Sequence, residues 1–291
     1  MIFNDFIKAI KKKNEFSLNM NEIISIAIED RVIEYCIFGE GEPLILIIGY
    51  ASTLSAWDIR FLYKLSQSYK IIVFNNRNTG KKFFKDTENY FMSDLAHDVE
   101  KLRIGLNLKK VSVCGISMGG MIAQIYASLY PNNLKKLILI NTVPPGNLAI
   151  SPNEKVVKIL KTLNKINPLN YFKMLNLLFP NLWKIIFIPI YHFKPKNNTI
   201  IAPPRTIEKQ QIAIEQWIVE PQAEDILKNI ITPTLILCAE KDKLIPPENS
   251  KIINKYLKNS QLITYANGGH IMIYQYPIKL ASIIINFLLT P

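Results

Sequence analysis

Histidine is scarce in this 291-residue chain, with only His97, His192 and His270. Any chemistry that needs an imidazole must use one of them. Cysteine is as rare, at Cys36, Cys114 and Cys238, and an odd count gives no disulfide framework. Two of the three lie in apolar runs, so buried, reduced thiols in a cytoplasmic protein are expected. Arginine is confined to Arg31, Arg60, Arg77, Arg103 and Arg205, although the net charge is +12. Polyanion sites favour the bidentate arginine fork. A positive charge built almost wholly from lysine therefore argues for a solvated basic surface and against a nucleic-acid partner. No window of about 18 uncharged apolar residues exists, so no membrane span is expected. Residues 1–13 carry Asp5 and Lys8 inside their short apolar portion and do not read as a signal peptide.

What is present is a globular composition, 49% hydrophobic and 20% charged, long enough for one large α/β domain or two small ones. Residues 22–29 and 32–38 read as two β-type runs joined at Asp30-Arg31, a hairpin. Residues 44–48 are continuously apolar, as a buried parallel strand would be. Trp57 opens a helix to Ser68. Strands at 71–74, 111–114 and 137–141 alternate with helices at 93–105, capped by Ser93, and from Ser117 to Tyr130. Such alternation means βαβ units and a parallel sheet. The rhythm breaks between Pro144 and Ile231, where ten prolines and apolar helical patches such as 175–193 replace strands. It resumes with a strand at 234–239, a helix at 247–257, a strand at 262–265 and a helix at 278–289. A core of residues 1–143 and 232–291, interrupted by an insertion at 144–231, is the expected organisation.

The most informative stretch is Val111-Ser112-Val113-Cys114-Gly115-Ile116-Ser117-Met118-Gly119-Gly120-Met121. An apolar strand runs into Gly-x-Ser-x-Gly and then a helix, the signature of a nucleophile elbow. Ser117 must occupy a strained backbone conformation that pushes its Oγ clear of the main chain. Gly115 and Gly119 stand where a Cβ would clash, and Gly120 lets the helix approach closely. Met118 begins the helix, so its N–H is free to serve as half of an oxyanion hole.

A serine nucleophile needs a base, and the base needs an acid. His270 follows Gly268-Gly269 after the last strand, at the sheet edge where sites in such sheets form. His97 reads as mid-helix and polar, and His192 lies in the insertion. Asp242 follows the strand at 234–239, completing the order Ser, acid, His. Glu240, Glu248, Asp225 and Asp98 are weaker candidates for the acid. The second oxyanion donor should come from Gly49-Tyr50-Ala51, with the Tyr50 N–H first and the Ala51 N–H second.

Together these residues resemble the α/β-hydrolase superfamily. The similarity covers nearly the whole chain, from Ile48-Gly49-Tyr50-Ala51 through Asn75-Asn76-Arg77-Asn78-Thr79-Gly80, the elbow, Tyr130-Pro131 and Lys241-Asp242 to Gly268-Gly269-His270. The resemblance implies an eight-stranded, mostly parallel sheet flanked by helices, with a helical lid inserted after the sixth strand. It assigns Ser117, Asp242 and His270 the triad roles and Met118 and Tyr50 the oxyanion roles. Many members carry His where this chain has Ile48, and Asp and Gly where it has Asn75 and Asn78. These changes bear on how the oxyanion loop and the Arg77 loop are braced.

The expected activity is hydrolysis of a small to medium apolar carboxylic ester through an acyl-enzyme. Its pocket would draw on Ala51, Met121, Trp183 and Phe187. Such chemistry requires no cofactor and no metal ion. Lactone or carbon–carbon-bond hydrolysis remains open, because members with those activities share the Ser-Met-Gly-Gly run. A non-catalytic ligand-binding protein on the same fold is the rival of another class. The partner expected is a small apolar ester or lactone, handled by a monomer or homodimer. Peripheral membrane contact through the 175–193 patch and the lysine excess is the third alternative.

Overall fold

The computed structural model describes residues 23–29, 31–81, 89–162, 168–180 and 202–290. Strands β1 (Ile24–Ile28) and β2 (Arg31–Phe38) pair antiparallel, with Ile28 opposite Arg31. The chain continues through β3 (Pro43–Ile47), α1 (Ile59–Ser66), β4 (Lys70–Phe74), α2 (Met92–Gly105), β5 (Val111–Ile116), α3 (Met118–Leu129) and β6 (Leu134–Ile140). Between β6 and the next strand the described residues form only helical elements. The longer ones are α4 (Glu154–Thr162), α5 (Pro168–Leu178), α6 (Pro204–Ile218) and α7 (Ala223–Lys228). Then come β7 (Thr234–Ala239), α8 (Glu248–Tyr256), β8 (Ser260–Tyr265), α9 (Met272–Gln275) and α10 (Pro277–Leu289).

The eight strands form one sheet in the order β1-β2-β4-β3-β5-β6-β7-β8. The six from β3 to β8 are mutually parallel, and the hairpin is added antiparallel at one edge. Both faces are covered. Ile45 and Ile47 of β3 join a core with Leu95 and Val99 of α2 and Ile122 and Tyr126 of α3. Leu44 and Leu46 join a second core with Phe61 and Leu65 of α1 and Leu280 and Ile284 of α10. Alternate residues of a strand point to opposite faces. A sheet wetted on neither face therefore needs apolar residues at both parities, which is why β3, β5 and β7 are mostly apolar along their whole length. Each fully buried Leu or Ile contributes roughly 1.5–3 kcal/mol.

The order β4-β3-β5 matters for function. The chain leaves β3 toward one side and β5 toward the other, so their carboxyl ends flank a crevice. The loop Gly49-Tyr50-Ala51 follows β3, and Ser117 follows β5 directly.

Several boundaries differ from those the sequence suggests. Trp57 does not open α1. Asp58 does, because its Oδ1 accepts from the N–H groups of Arg60 and Phe61. Trp57 instead ends a 3₁₀ turn and stacks on Phe61. Ser93 is not the cap of α2, which begins at Met92. There the Asp94 carboxylate reaches back to accept from the Phe91 N–H at 2.8 Å. Strand β6 starts at Leu134, three residues before the apolar run suggests, because Lys135 and Lys136 disguise it. Lys136 is buried, and its ammonium donates to the carbonyls of Phe287 and Thr290 at the end of α10. Of the apolar patch at 175–193, Leu175, Leu177 and Phe179 are buried, so the described part of it faces inward. Trp183, Phe187 and His192 lie outside the described residues. Among the described residues no helix is long and apolar enough to cross a membrane.

Candidate active site

Ser117 sits between β5 and α3 at φ 57° and ψ −123°. That backbone costs a non-glycine residue about 1–3 kcal/mol and needs enforcement. Its N–H donates to the Ile140 carbonyl at 3.0 Å, and its carbonyl accepts from the Thr142 hydroxyl at 2.8 Å. The end of β6 thus clamps both sides of the strained residue. A Cβ on Gly115 would fall 2.2 Å from the Gly119 carbonyl oxygen, and one on Gly119 would fall 2.1 Å from that of Ile47. The close fit of β3, β5 and α3 leaves room for hydrogen only.

The loop after β8 carries His270 against this serine. His270 Nε2 and Ser117 Oγ are 3.1 Å apart, and His270 Nδ1 lies 2.8 Å from Asp242 Oδ2. A carboxylate can only accept, so Nδ1 holds the hydrogen and Nε2 is left to accept from the serine hydroxyl. Asp242 is itself fixed. Its Oδ1 accepts from the Leu244 and Ile245 N–H groups at 2.8 and 2.9 Å. Both side chains are buried, 1% exposed for Asp242 and 8% for His270, which keeps water from competing for these contacts.

Other candidates lie elsewhere. His97 is exposed on α2 beside the Tyr130 hydroxyl. Asp98 is taken by Arg77, through contacts of 2.8 and 2.9 Å. Glu240, Glu248 and Asp225 are exposed. All three cysteines are buried, and burial pushes the Cys114 and Cys238 thiols up.

The loop after β3 comes equally close. A Cβ built on Gly49 would stand 3.1 Å from Ser117 Cβ and 3.6 Å from its Oγ. Asn76 donates to the Ile48 carbonyl at 3.1 Å, and Asn75 accepts from the Leu54 N–H at 2.8 Å. The two asparagines brace the loop at both ends. Ala51 adopts φ 57°, and its N–H donates to Gln210 Oε1 of α6 at 2.8 Å. Tyr50 is half-buried, and burial, with Glu215 of α6 adding to it, pushes its phenol up. Met118 and Met121 are buried in the core on the α2–α3 face.

A family model for the alpha/beta hydrolase fold matches residues 42–186 and 193–277. The chain belongs to that family. Lipase 3 of a Moraxella species is 27% identical over 238 residues, covering 79% of this chain and 72% of the lipase. A proline iminopeptidase of Pestalotiopsis fici is 24% identical over 263 residues, covering 84% of this chain and 92% of the relative. An alpha/beta hydrolase fold protein from Chitinophaga pinensis superimposes with a TM-score of 0.80 at 22% identity. It covers 92% of this chain and 98% of that protein.

In this α/β-hydrolase the most telling residue that motif reading misses is Asn141. It follows β6 directly, at φ 44°. Its Nδ2 donates to the carbonyls of Gly269 and His270 at 3.2 and 2.7 Å, while its Oδ1 accepts from the Ala239 N–H at 2.8 Å. One amide thus joins the end of the acid-bearing strand to the histidine loop. The sequence signal was only an asparagine closing a buried strand. Asn76, Thr142 and Gln210 were missed for the same reason, since their partners lie far away in the chain.

Proposed function

We propose that this α/β-hydrolase cleaves a small to medium apolar carboxylic ester through an acyl-enzyme on Ser117. The relay from Asp242 through His270 to Ser117, with its contacts of 2.8 and 3.1 Å, is the observation that carries this reading. His270 takes the hydroxyl proton as Ser117 attacks the carbonyl carbon. It then gives that proton to the leaving alcohol, and later activates the water that frees the acid. Asp242 holds the imidazole in the useful tautomer and stabilises its cation. The N–H groups of Met118 and Tyr50 hold the oxyanion. The Ala51 N–H is occupied by Gln210, which favours Tyr50 of the two alternatives. Removing one such donor commonly costs 10²–10³ in rate.

The segment 144–231 acts as a lid over the core of 1–143 and 232–291. Two contacts support this. Pro180 and the Leu178 carbonyl lie against Gly269, and Gln210 lies against Ala51. We assign Ala51 and Met121 to the acyl pocket. The Ser117-Met118-Gly119-Gly120 run keeps a lactone or carbon–carbon substrate as the second reading.

The test is a fluorophosphonate probe with p-nitrophenyl esters of graded chain length, on wild type and Ser117→Ala. Wild type should label and turn over, and the variant should lose about 10⁶ in kcat. Labelling without ester turnover would transfer the role to a lactone or carbon–carbon bond. A wild type that neither labels nor turns over would leave a ligand-binding protein.

A further inference from the structure

Helix α6 is docked across three loops at the carboxyl end of the sheet. Near its start the Thr206 hydroxyl donates to the Asn78 carbonyl at 2.6 Å, and near its end Trp217 Nε1 donates to the Val143 carbonyl at 3.4 Å. Between them, one turn after Thr206, stands Gln210, which is 0% exposed. Its Oε1 accepts from the Ala51 N–H, and its Nε2 has no hydrogen-bond partner among the described residues. The amide cannot be turned over, because that would set two donors against each other. The clamp on Ala51 therefore explains the oxygen and leaves a buried NH₂ with two hydrogens unanswered. Buried polar groups in native proteins are almost always paired, and each exception calls for an explanation.

The place of this donor is informative. Ala51 is two residues past Gly49, whose Cα faces Ser117, so the two Cα atoms are at most about 8 Å apart. A donor touching Ala51 is within reach of an acyl chain a few atoms long attached to Ser117. We propose that Gln210 Nε2 is a substrate-recognition group, and that the substrate is an ester or lactone bearing a second acceptor oxygen. This oxygen would be an oxo, hydroxy or ether group a few bonds from the scissile carbonyl. The inference rests on the ester-hydrolase reading and narrows it. A bare hydrocarbon acyl chain would leave that donor unpaired. Sites built to hydrogen-bond a substrate group discriminate strongly against analogues that lack it.

The experiment is an oxygen scan. p-Nitrophenyl esters of one fixed chain length are compared with twins in which one CH₂ at a time is replaced by an ether oxygen. Each kcat/KM is divided by that ester's hydroxide-catalysed rate, which removes inherent reactivity. Wild type should favour the twin at one position by 10-fold or more. Gln210→Glu keeps an acceptor for Ala51 and loses the donor, so its preference should collapse toward one. Gln210→Met loses both and should slow both twins together. Hydrolysis of every ester with no favoured position, or a preference surviving in Gln210→Glu, overturns the proposal alone. Failure of wild type to label with fluorophosphonate or to cleave any ester defeats the underlying reading and this inference with it. If neither variant folds, the wild-type scan decides by itself.

Discussion

Asn141 donates to the backbone carbonyl of His270, the residue whose ring faces Ser117, at 2.7 Å. A side chain 129 positions away thus holds the main chain beneath the proposed base. Asn141→Leu keeps the branched shape, removes three hydrogen bonds and adds the strain of a leucine at φ 44°. We expect kcat to fall about 10–100-fold, because small misplacements of a reacting group carry costs of that order. KM should change little, since no substrate contact is removed. Steady-state kinetics on a p-nitrophenyl ester checks this. An unchanged kcat would show that the loop needs no such tie.

Asp242→Asn leaves the shape of the relay intact and disturbs the imidazole tautomer. The expected loss in kcat is about 10⁴-fold, with little change in thermal midpoint. Fluorophosphonate labelling should slow in parallel. Equal labelling rates in variant and wild type would remove the acid from this role.

Two glycines near the elbow should behave differently. A Cβ at position 119 would lie 2.1 Å from the Ile47 carbonyl oxygen, which is fixed in the sheet. Gly119→Ala should therefore fail to fold, or lose more than about 4 kcal/mol. At position 49 the new atom would meet Ser117 Cβ at 3.1 Å, and the loop can give by a few tenths of an ångström. Gly49→Ala should fold and lose about 10-fold or more in kcat. Urea midpoints and kinetics separate the pair, and a fully stable Gly119→Ala would contradict the packing described.

Stability should also depend on Glu100, which is 7% exposed on α2. Burial pushes its carboxyl up. Hydrogen bonds from Arg103, Tyr126 and Asn133 outweigh that and hold it below the ordinary glutamate value of 4.5. A carboxylate whose folded pKa is depressed adds stability above the unfolded value. That stability is lost as pH falls through the folded value. Urea midpoints should thus hold near neutrality and decline below about pH 4.5. Glu100→Gln should be less stable at pH 7 and show a shallower decline in acid. Parallel pH curves for the two proteins would refute the assignment.

The parts of this molecule that can be read from sequence are those whose partners are close along the chain. Strand β7 falls at the expected residues because Thr234–Ala239 is apolar at both parities and bounded by Pro233 and Glu240. Ser117, Asp242 and His270 are legible because each follows a strand, and parallel strands deliver their carboxyl ends to one edge. Strand β6 is cut short in the reading because a lysine can bury its stem while its ammonium finds carbonyls 151 to 154 positions away. Asn141 and Gln210 are opaque for the same physical cause. An amide's worth depends on which distant peptide groups the fold sets beside it, and no local period records that.

The contact between Gly269 and the end of α5 has a practical corollary. A Cβ at 269 would strike Pro180 and the Leu178 carbonyl, so the proposed lid and the residue before the proposed base are seated as a matched pair. Exchanging the 144–231 segment for another hydrolase's would disturb imidazole alignment unless the graft reproduced that backbone step. Engineers would have to redesign the proposed roof and the proposed proton carrier together.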